Sequence, residues 1–93
     1  MFQLIDEQDT QQALAQYLTT KRKQSKLSRE ALASKSGVPA PTIKRFETTG
    51  QISLRQFLVL WLCLDDITRL YELTKVQSPN IPTTIAEVLQ REF

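Results

Sequence analysis

Apolar residues recur along this chain at intervals of three and four positions, the spacing of one face of an α-helix. The first such segment has Asp9 or Thr10 as its helix-capping residue and ends near Lys23. Four further segments with the same period follow, so the pattern predicts five helices and an all-α fold. The apolar positions of the first helix are Ala13, Leu14, Tyr17 and Leu18.

Two short helices are predicted in the middle of the chain. Ser28 caps the first of them, and Gly37 ends it because glycine accepts a positive φ without a Cβ clash. Pro41 suits the first turn of the next helix, which extends to about Thr48. Ala33 is small enough to let the two helices approach closely. Two short helices joined by so tight a turn predict a helix–turn–helix.

The fourth predicted helix is apolar on nearly every side. Ser53 and Gln56 form a capping-box pattern at its start, and Asp65 or Asp66 caps the fifth helix that follows. Its expected core-facing residues are Leu54, Phe57, Leu58, Trp61 and Leu64. Its other flanks carry Val59, Leu60, Leu62 and Cys63. A helix that is apolar all round is buried on more than one side, so we expect these four residues to form a homodimer interface.

The predicted organisation is one small domain with an extension at each side. Residues 1–9 form an N-terminal extension that includes a short predicted strand, and residues 10–73 form the five-helix domain. Residues 74–93 comprise a proline-containing linker and a short amphipathic helix. That last helix has too little apolar area to stand alone, so we expect it to contact its own domain, a second subunit or another partner.

Composition argues against an enzyme. The 93 residues include no histidine and a single cysteine, so neither a histidine base for nucleophilic catalysis nor a metal-ligand cluster is expected. Adjacent aspartates at positions 65 and 66 are better explained as a helix cap than as a metal pair. We expect no cofactor and no bound metal. The apolar stretches are far shorter than the ~20 residues of a membrane span, so we expect a cytoplasmic protein without membrane contact.

The charge distribution singles out the middle of the chain. Residues 21–45 contain eight lysines or arginines and one acid, whereas the segments on either side are net acidic. A basic band of this kind is typical of a surface that faces a polyanion such as nucleic acid. The alternative interpretation is a set of solvated lysines with no partner.

Residues 27–47 resemble the helix–turn–helix of Xre/Cro-type repressors, the lambda-repressor-like DNA-binding family. The resemblance extends over about residues 10–73 and implies a compact five-helix lambda-repressor-like domain. The small size of the chain and the turn at residues 46–50 are also similar to HipB-like antitoxins, which are encoded beside HipA-type kinase toxins.

This resemblance implies a role for each matching residue. Ser28 and Arg29 match positions that contact a DNA phosphate. The exposed side of the recognition helix, which reads base edges in this family, corresponds to Ala40, Pro41, Thr42, Lys44 and Arg45. Backbone N–H groups are expected to reach a phosphate from Thr48, Thr49 and Gly50. Arg22 and Glu47 match a partly buried salt bridge and are expected to be structural.

The function implied is sequence-specific transcriptional repression. In the first hypothesis the protein is the antitoxin-type, autoregulating component of a toxin–antitoxin operon. It binds a palindromic double-stranded operator as a homodimer and also binds a HipA-type kinase toxin or another companion protein. In the second hypothesis it is a stand-alone or phage-type Xre repressor. In the third it is an adaptor that keeps the helix–turn–helix but binds protein instead of DNA.

Overall fold

The computed structural model describes residues 4–75, which fold into five α-helices and one 3-10 turn. The helices are α1 (Glu7–Gln24), α2 (Arg29–Ser36), α3 (Ala40–Thr49), α4 (Leu54–Leu64) and α5 (Ile67–Tyr71), followed by the turn at Glu72–Thr74. The predicted all-α fold with five helices is confirmed. Leu4 and Ile5 adopt no regular structure; the rest of the predicted strand and the predicted helix within residues 74–93 lie outside the described residues.

α1 begins earlier than predicted. Its cap is Asp6, whose Oδ1 accepts the backbone N–H of Asp9 at 2.8 Å, while the Asp9 carboxylate accepts the backbone N–H of Asp6 at 3.2 Å. The prediction of Asp9 or Thr10 as the cap was therefore wrong. Asp9 does take part in the cap, but as the third helical residue of a reciprocal capping box.

The two ends predicted for α2 and the proline predicted in the first turn of α3 are present. Ser28 Oγ accepts the N–H of Ala31 at 3.0 Å, and α2 ends at Gly37 with φ of 82°. α3 ends in the same way at Gly50, with φ of 81°. Pro41 lies in the first turn of α3, where its missing N–H costs no helical hydrogen bond.

The core is formed where α1, α2, α3 and α4 meet. Phe46 of α3 contacts Phe57 of α4 edge to face, with ring centroids 5.9 Å apart, and Trp61 lies 5.8 Å beyond Phe57. The remaining core positions are Ala15, Leu18, Leu32, Val38, Ile43 and Leu60. Because Ile43 and Phe46 are almost completely buried, the orientation of α3 about its own axis is fixed.

α4 is rotated relative to the prediction. Leu60 is 1% exposed and packs in the core of its own subunit, so its assignment to a dimer interface was wrong. Conversely, Leu54 is 71% exposed, and Leu58 also lies on the surface although both were expected in the core. Since α4 is apolar on every side, its sequence does not show which side faces inward. The outward row has a spacing of four residues and consists of Leu54, Leu58 and Leu62.

The junction between α4 and α5 is held against α1 by a polar cluster. Asp66 caps α5 by accepting the N–H of Thr68 at 2.9 Å, and its carbonyl accepts the indole N–H of Trp61 at 2.9 Å. Asp65 accepts hydrogen bonds from the Tyr17 hydroxyl and from Arg69 Nη1, the latter at 3.0 Å. These contacts fix the position of α5, which has no fully buried residue of its own.

Candidate nucleic-acid interface

The predicted ion pair between Arg22 and Glu47 is present and joins the end of α1 to α3. Arg22 donates from Nε to Glu47 Oε2 at 2.7 Å and from Nη2 to Oε1 at 3.1 Å. Its remaining Nη1 donates to the Leu27 carbonyl at 2.8 Å, which ties the α1–α2 turn to the same site. Both side chains of the pair are buried. Such a two-point contact holds the planar guanidinium in a single orientation.

Arg29 is the second partner of Glu47. Its Nε donates to Glu47 Oε1 at 2.8 Å, so one carboxylate joins α1, α2 and α3. The Arg29 side chain is 36% exposed, and its terminal nitrogens make no hydrogen bond to residues 4–75. Arg29 was expected to contact a DNA phosphate, and its ion pair with Glu47 gives it a structural contact as well. It is oriented by the protein, and its outer N–H groups, which have no acceptor among the described residues, point to a second role in binding an anion.

The two arginines keep Glu47 ionised. Burial of the side chain raises the pKa of Glu47, but the hydrogen bonds and the positive charges of Arg22 and Arg29 together outweigh it and lower the pKa below its ordinary value of 4.5. The cluster contains two cations and one anion. It therefore contributes net positive charge at the start of α2 while its buried carboxylate remains paired.

α3 presents its polar side to solvent. Pro41, Lys44, Arg45 and Thr48 are exposed and follow the spacing of one helical face, while Ile43 and Phe46 on the opposite side are buried. Ala40 and Thr42 are half-buried at the start of the helix. Neither Lys44 nor Arg45 forms an ion pair with any residue between positions 4 and 75.

A polar groove of about 610 Å³ adjoins the start of α3. Pro41, Thr42 and Arg45 line one side of it. The other sides come from α1 and from the segment that leads from α3 into α4, and they include three glutamines, Gln11, Gln51 and Gln56, of which only Gln56 was expected to have a role, in the cap of α4. Glutamine amides both donate and accept hydrogen bonds, so they can pair with base edges, and their N–H groups can donate to phosphates. These residues are scattered in sequence, so only the fold brings them beside Arg45.

The end of α3 does not offer the backbone donors that were expected. Thr48 and Thr49 lie within the helix, where backbone N–H groups bond to carbonyls four residues earlier. The N–H of Gly50 donates to the Phe46 carbonyl at 2.8 Å, and that of Gln51 donates to Thr49 Oγ1 at 3.1 Å. The prediction of phosphate contacts through these N–H groups was therefore wrong, because the helix and its cap use them internally.

Ser28 can still donate a hydrogen bond toward the DNA phosphate that it was predicted to contact. Its Oγ is used as the acceptor of the α2 cap, but within residues 4–75 the hydroxyl hydrogen has no acceptor and can donate. The serine is exposed and directly precedes Arg29 in the chain. The two residues therefore offer an O–H and the outer guanidinium nitrogens from the first turn of α2.

The basic band is less uniform than the sequence indicates. Arg22 is buried on Glu47, and Lys21 lies 5.8 Å from the centroid of the Tyr17 ring. The exposed cations of the basic band are Lys23, Lys26, Lys35, Lys44 and Arg45. Among residues 4–75 no group of metal-ligating side chains occurs, and no helix has the length and apolar character needed to cross a membrane.

Comparison with known proteins gives no relative. The chain matches no protein-family profile, no curated protein and no solved structure.

Proposed function

We propose that this protein is a sequence-specific DNA-binding repressor of the Xre/Cro type. The observation that carries the proposal is the outward face of α3, where Lys44 and Arg45 are exposed and free of ion pairs within residues 4–75. Ile43 and Phe46 fix the orientation of this face, and the Glu47 cluster ties α3 to the two preceding helices. A rigid cationic helix edge is suited to the major groove of DNA.

In this proposal the residues divide into two kinds of contact. Arg45 reads a guanine, since its fork matches the two acceptors that guanine presents in the major groove. Pro41 offers only van der Waals contact, for instance to a thymine methyl group. Lys44, Ser28 and the outer nitrogens of Arg29 bind phosphates, which position the protein without reading sequence.

We further propose that two copies act together. A homodimer places two recognition helices in successive major grooves, ~34 Å apart, on an inverted repeat. The α4–α5 side provides the contact, where Leu62 is 60% exposed and Val59 and Cys63 are partly exposed. Leu60 takes no part because it is buried within its own subunit.

The test measures, by fluorescence anisotropy at several salt concentrations, how the full chain binds the DNA upstream of its own gene. Arg45→Ala should reduce the preference for the operator over variant sequences by at least tenfold, as loss of a bidentate base contact does. Lys35→Ala removes an exposed cation of α2 to which no base contact is assigned, and it serves as the control. If the wild-type protein shows no salt-sensitive DNA binding, the adaptor hypothesis replaces this proposal.

The narrower proposal is a HipB-like antitoxin that represses its own operon and binds a HipA-type kinase toxin. Its support is the sequence resemblance at residues 46–50 together with the small size of the chain. Co-expression of this chain with the product of the adjacent reading frame, followed by purification on a tag, tests it. Purification of a homodimer alone favours a stand-alone or phage-type repressor.

A further inference from the structure

An apolar groove of about 440 Å³ separates α4 from α5. Leu58, Val59 and Leu62 line it from α4, and Ile67 and Leu70 line it from α5. Three of these five, namely Val59, Ile67 and Leu70, are partly buried against the core at their bases, so the groove is a continuation of the core toward the surface. A small domain gains stability if such a surface is covered.

The chain leaves the described part of the structure at the edge of this groove. Tyr71 and Thr74 also line it, and Lys75, the next residue, places its Nζ 4.7 Å from the centroid of the Tyr71 ring. Residues 76–83 can span up to ~27 Å when extended. The predicted helix at residues 84–93 is ~15 Å long. The linker can therefore bring that helix to any part of the groove.

The sequence of residues 84–93 is complementary to the groove. Ile85, Val88 and Leu89 have the i, i+3, i+4 spacing of one helical face. Glu92 follows Ile85 by seven residues, so in the predicted helix it shares that face, where a neighbouring cation would be favourable. The groove offers Arg55, which forms no ion pair within the described part of the chain.

We propose that residues 84–93 bind as a helix in the α4–α5 groove of the same chain. The same chain is favoured over a second copy because a short linker gives an effective concentration in the mM range. The tail of a second, untethered copy would need a comparable concentration to compete for the groove. In the proposed dimer the second subunit then contacts this helix together with the parts of the α4–α5 side that it leaves open, so the tail forms part of the dimer surface.

Disulfide trapping tests the proposal in the full chain. In a Cys63→Ser background, Leu62→Cys is combined with Leu89→Cys, and the control combines Lys35→Cys, on α2, with Leu89→Cys. We expect an intramolecular disulfide to form at least ten times faster in the groove pair than in the control, as read by mass spectrometry. Equal rates overturn the proposal, and so do disulfide-linked dimers, which would assign the groove to the tail of a second copy.

Hydrogen exchange provides a second measurement that does not depend on the cysteine variants. Leu89→Arg in the full chain should accelerate amide exchange at Leu70 and Tyr71 at least tenfold, with no change at Leu32 in α2. Unchanged exchange in α5 overturns the proposal. Neither measurement uses DNA, so failure here is distinct from failure of the operator-binding test.

Discussion

Arg29 at the start of α2 donates its Nε–H to Oε1 of Glu47 on α3 across 2.8 Å, which joins the two helices of the helix–turn–helix directly. The same oxygen accepts a hydrogen bond from Arg22 at the end of α1. A single buried carboxylate thus sets the positions of three helices relative to one another. The side chains that face solvent from α2 and α3 depend on it for their orientation.

Replacing Glu47 should therefore be costly. Glu47→Gln leaves the buried Arg22 without its counter-charge, and we expect a loss of about 3–5 kcal/mol in the free energy of unfolding. Urea denaturation followed by circular dichroism measures it. Glu30→Gln, an exposed acid on α2, is the control and should change stability by less than about 0.5 kcal/mol. A similarly small effect of Glu47→Gln would contradict the structural role of the Glu47 cluster.

The same carboxylate predicts an acid-dependent loss of stability. Because the folded state holds the pKa of Glu47 below its ordinary 4.5, its contribution is complete above that pH and disappears as the pH falls through the lower folded value. The free energy of unfolding of the wild-type protein should decline below about pH 4.5 more steeply than that of Glu47→Gln. If the free energies of unfolding of the two proteins fell in parallel as the pH is lowered, Glu47 would not be the cause of the acid-dependent loss of stability.

The Tyr17 hydroxyl should control the ionisation of Asp65. Its hydrogen bond is the largest cause that lowers the pKa of Asp65, ahead of the attraction of Arg69. We expect Tyr17→Phe to move the pKa of Asp65 upward toward its ordinary 3.8, and by more than Arg69→Met does. Carboxyl carbon chemical shifts followed by NMR between pH 2 and 6 measure both. The opposite order would show that the arginine dominates.

The two glycines at helix ends should respond differently to alanine. Gly37 has φ of 82° with open space where a Cβ would stand, so Gly37→Ala costs about 1 kcal/mol of backbone strain. Gly50 has φ of 81°, and a Cβ there would lie 3.1 Å from the backbone carbon of Gln11. Gly50→Ala must therefore also push α1 away from α3, and thermal unfolding should show the larger loss. Equal losses of stability in the two variants would mean that α1 can move away from α3 without a loss of stability.

Sequence reasoning succeeds where a local rule determines the structure. Ser28 as a cap and Gly37 as a helix end follow from the chemistry of the residue alone. It fails for α4, because a helix that is apolar on every side gives no direction for its core face; Leu54 and Leu60 were consequently assigned to the wrong sides.

The candidate site also combines features that a local sequence rule predicts with features that only the fold creates. The outward position of Arg45 follows from the helical period, since Ile43 and Phe46 have to face inward. The contact of Arg29 with Glu47 joins residues 18 positions apart on different helices and depends on how α2 packs against α3. No local pattern indicates it, and the same holds for the glutamines that meet beside Arg45.

Arg29 itself allows the structural and DNA-binding roles to be separated. If its outer nitrogens bind a phosphate, Arg29→Ala should weaken binding to all DNA sequences alike and reduce the slope of log K against log salt by about 0.9. Arg29→Lys retains the charge but loses the fixed Nε geometry toward Glu47. It should keep most of the salt slope while lowering the free energy of unfolding by up to about 1 kcal/mol, as for a partly exposed ion pair. Anisotropy titrations and urea denaturation of the same two variants measure both quantities. An unchanged salt slope in Arg29→Ala would assign this arginine to the Glu47 cluster alone.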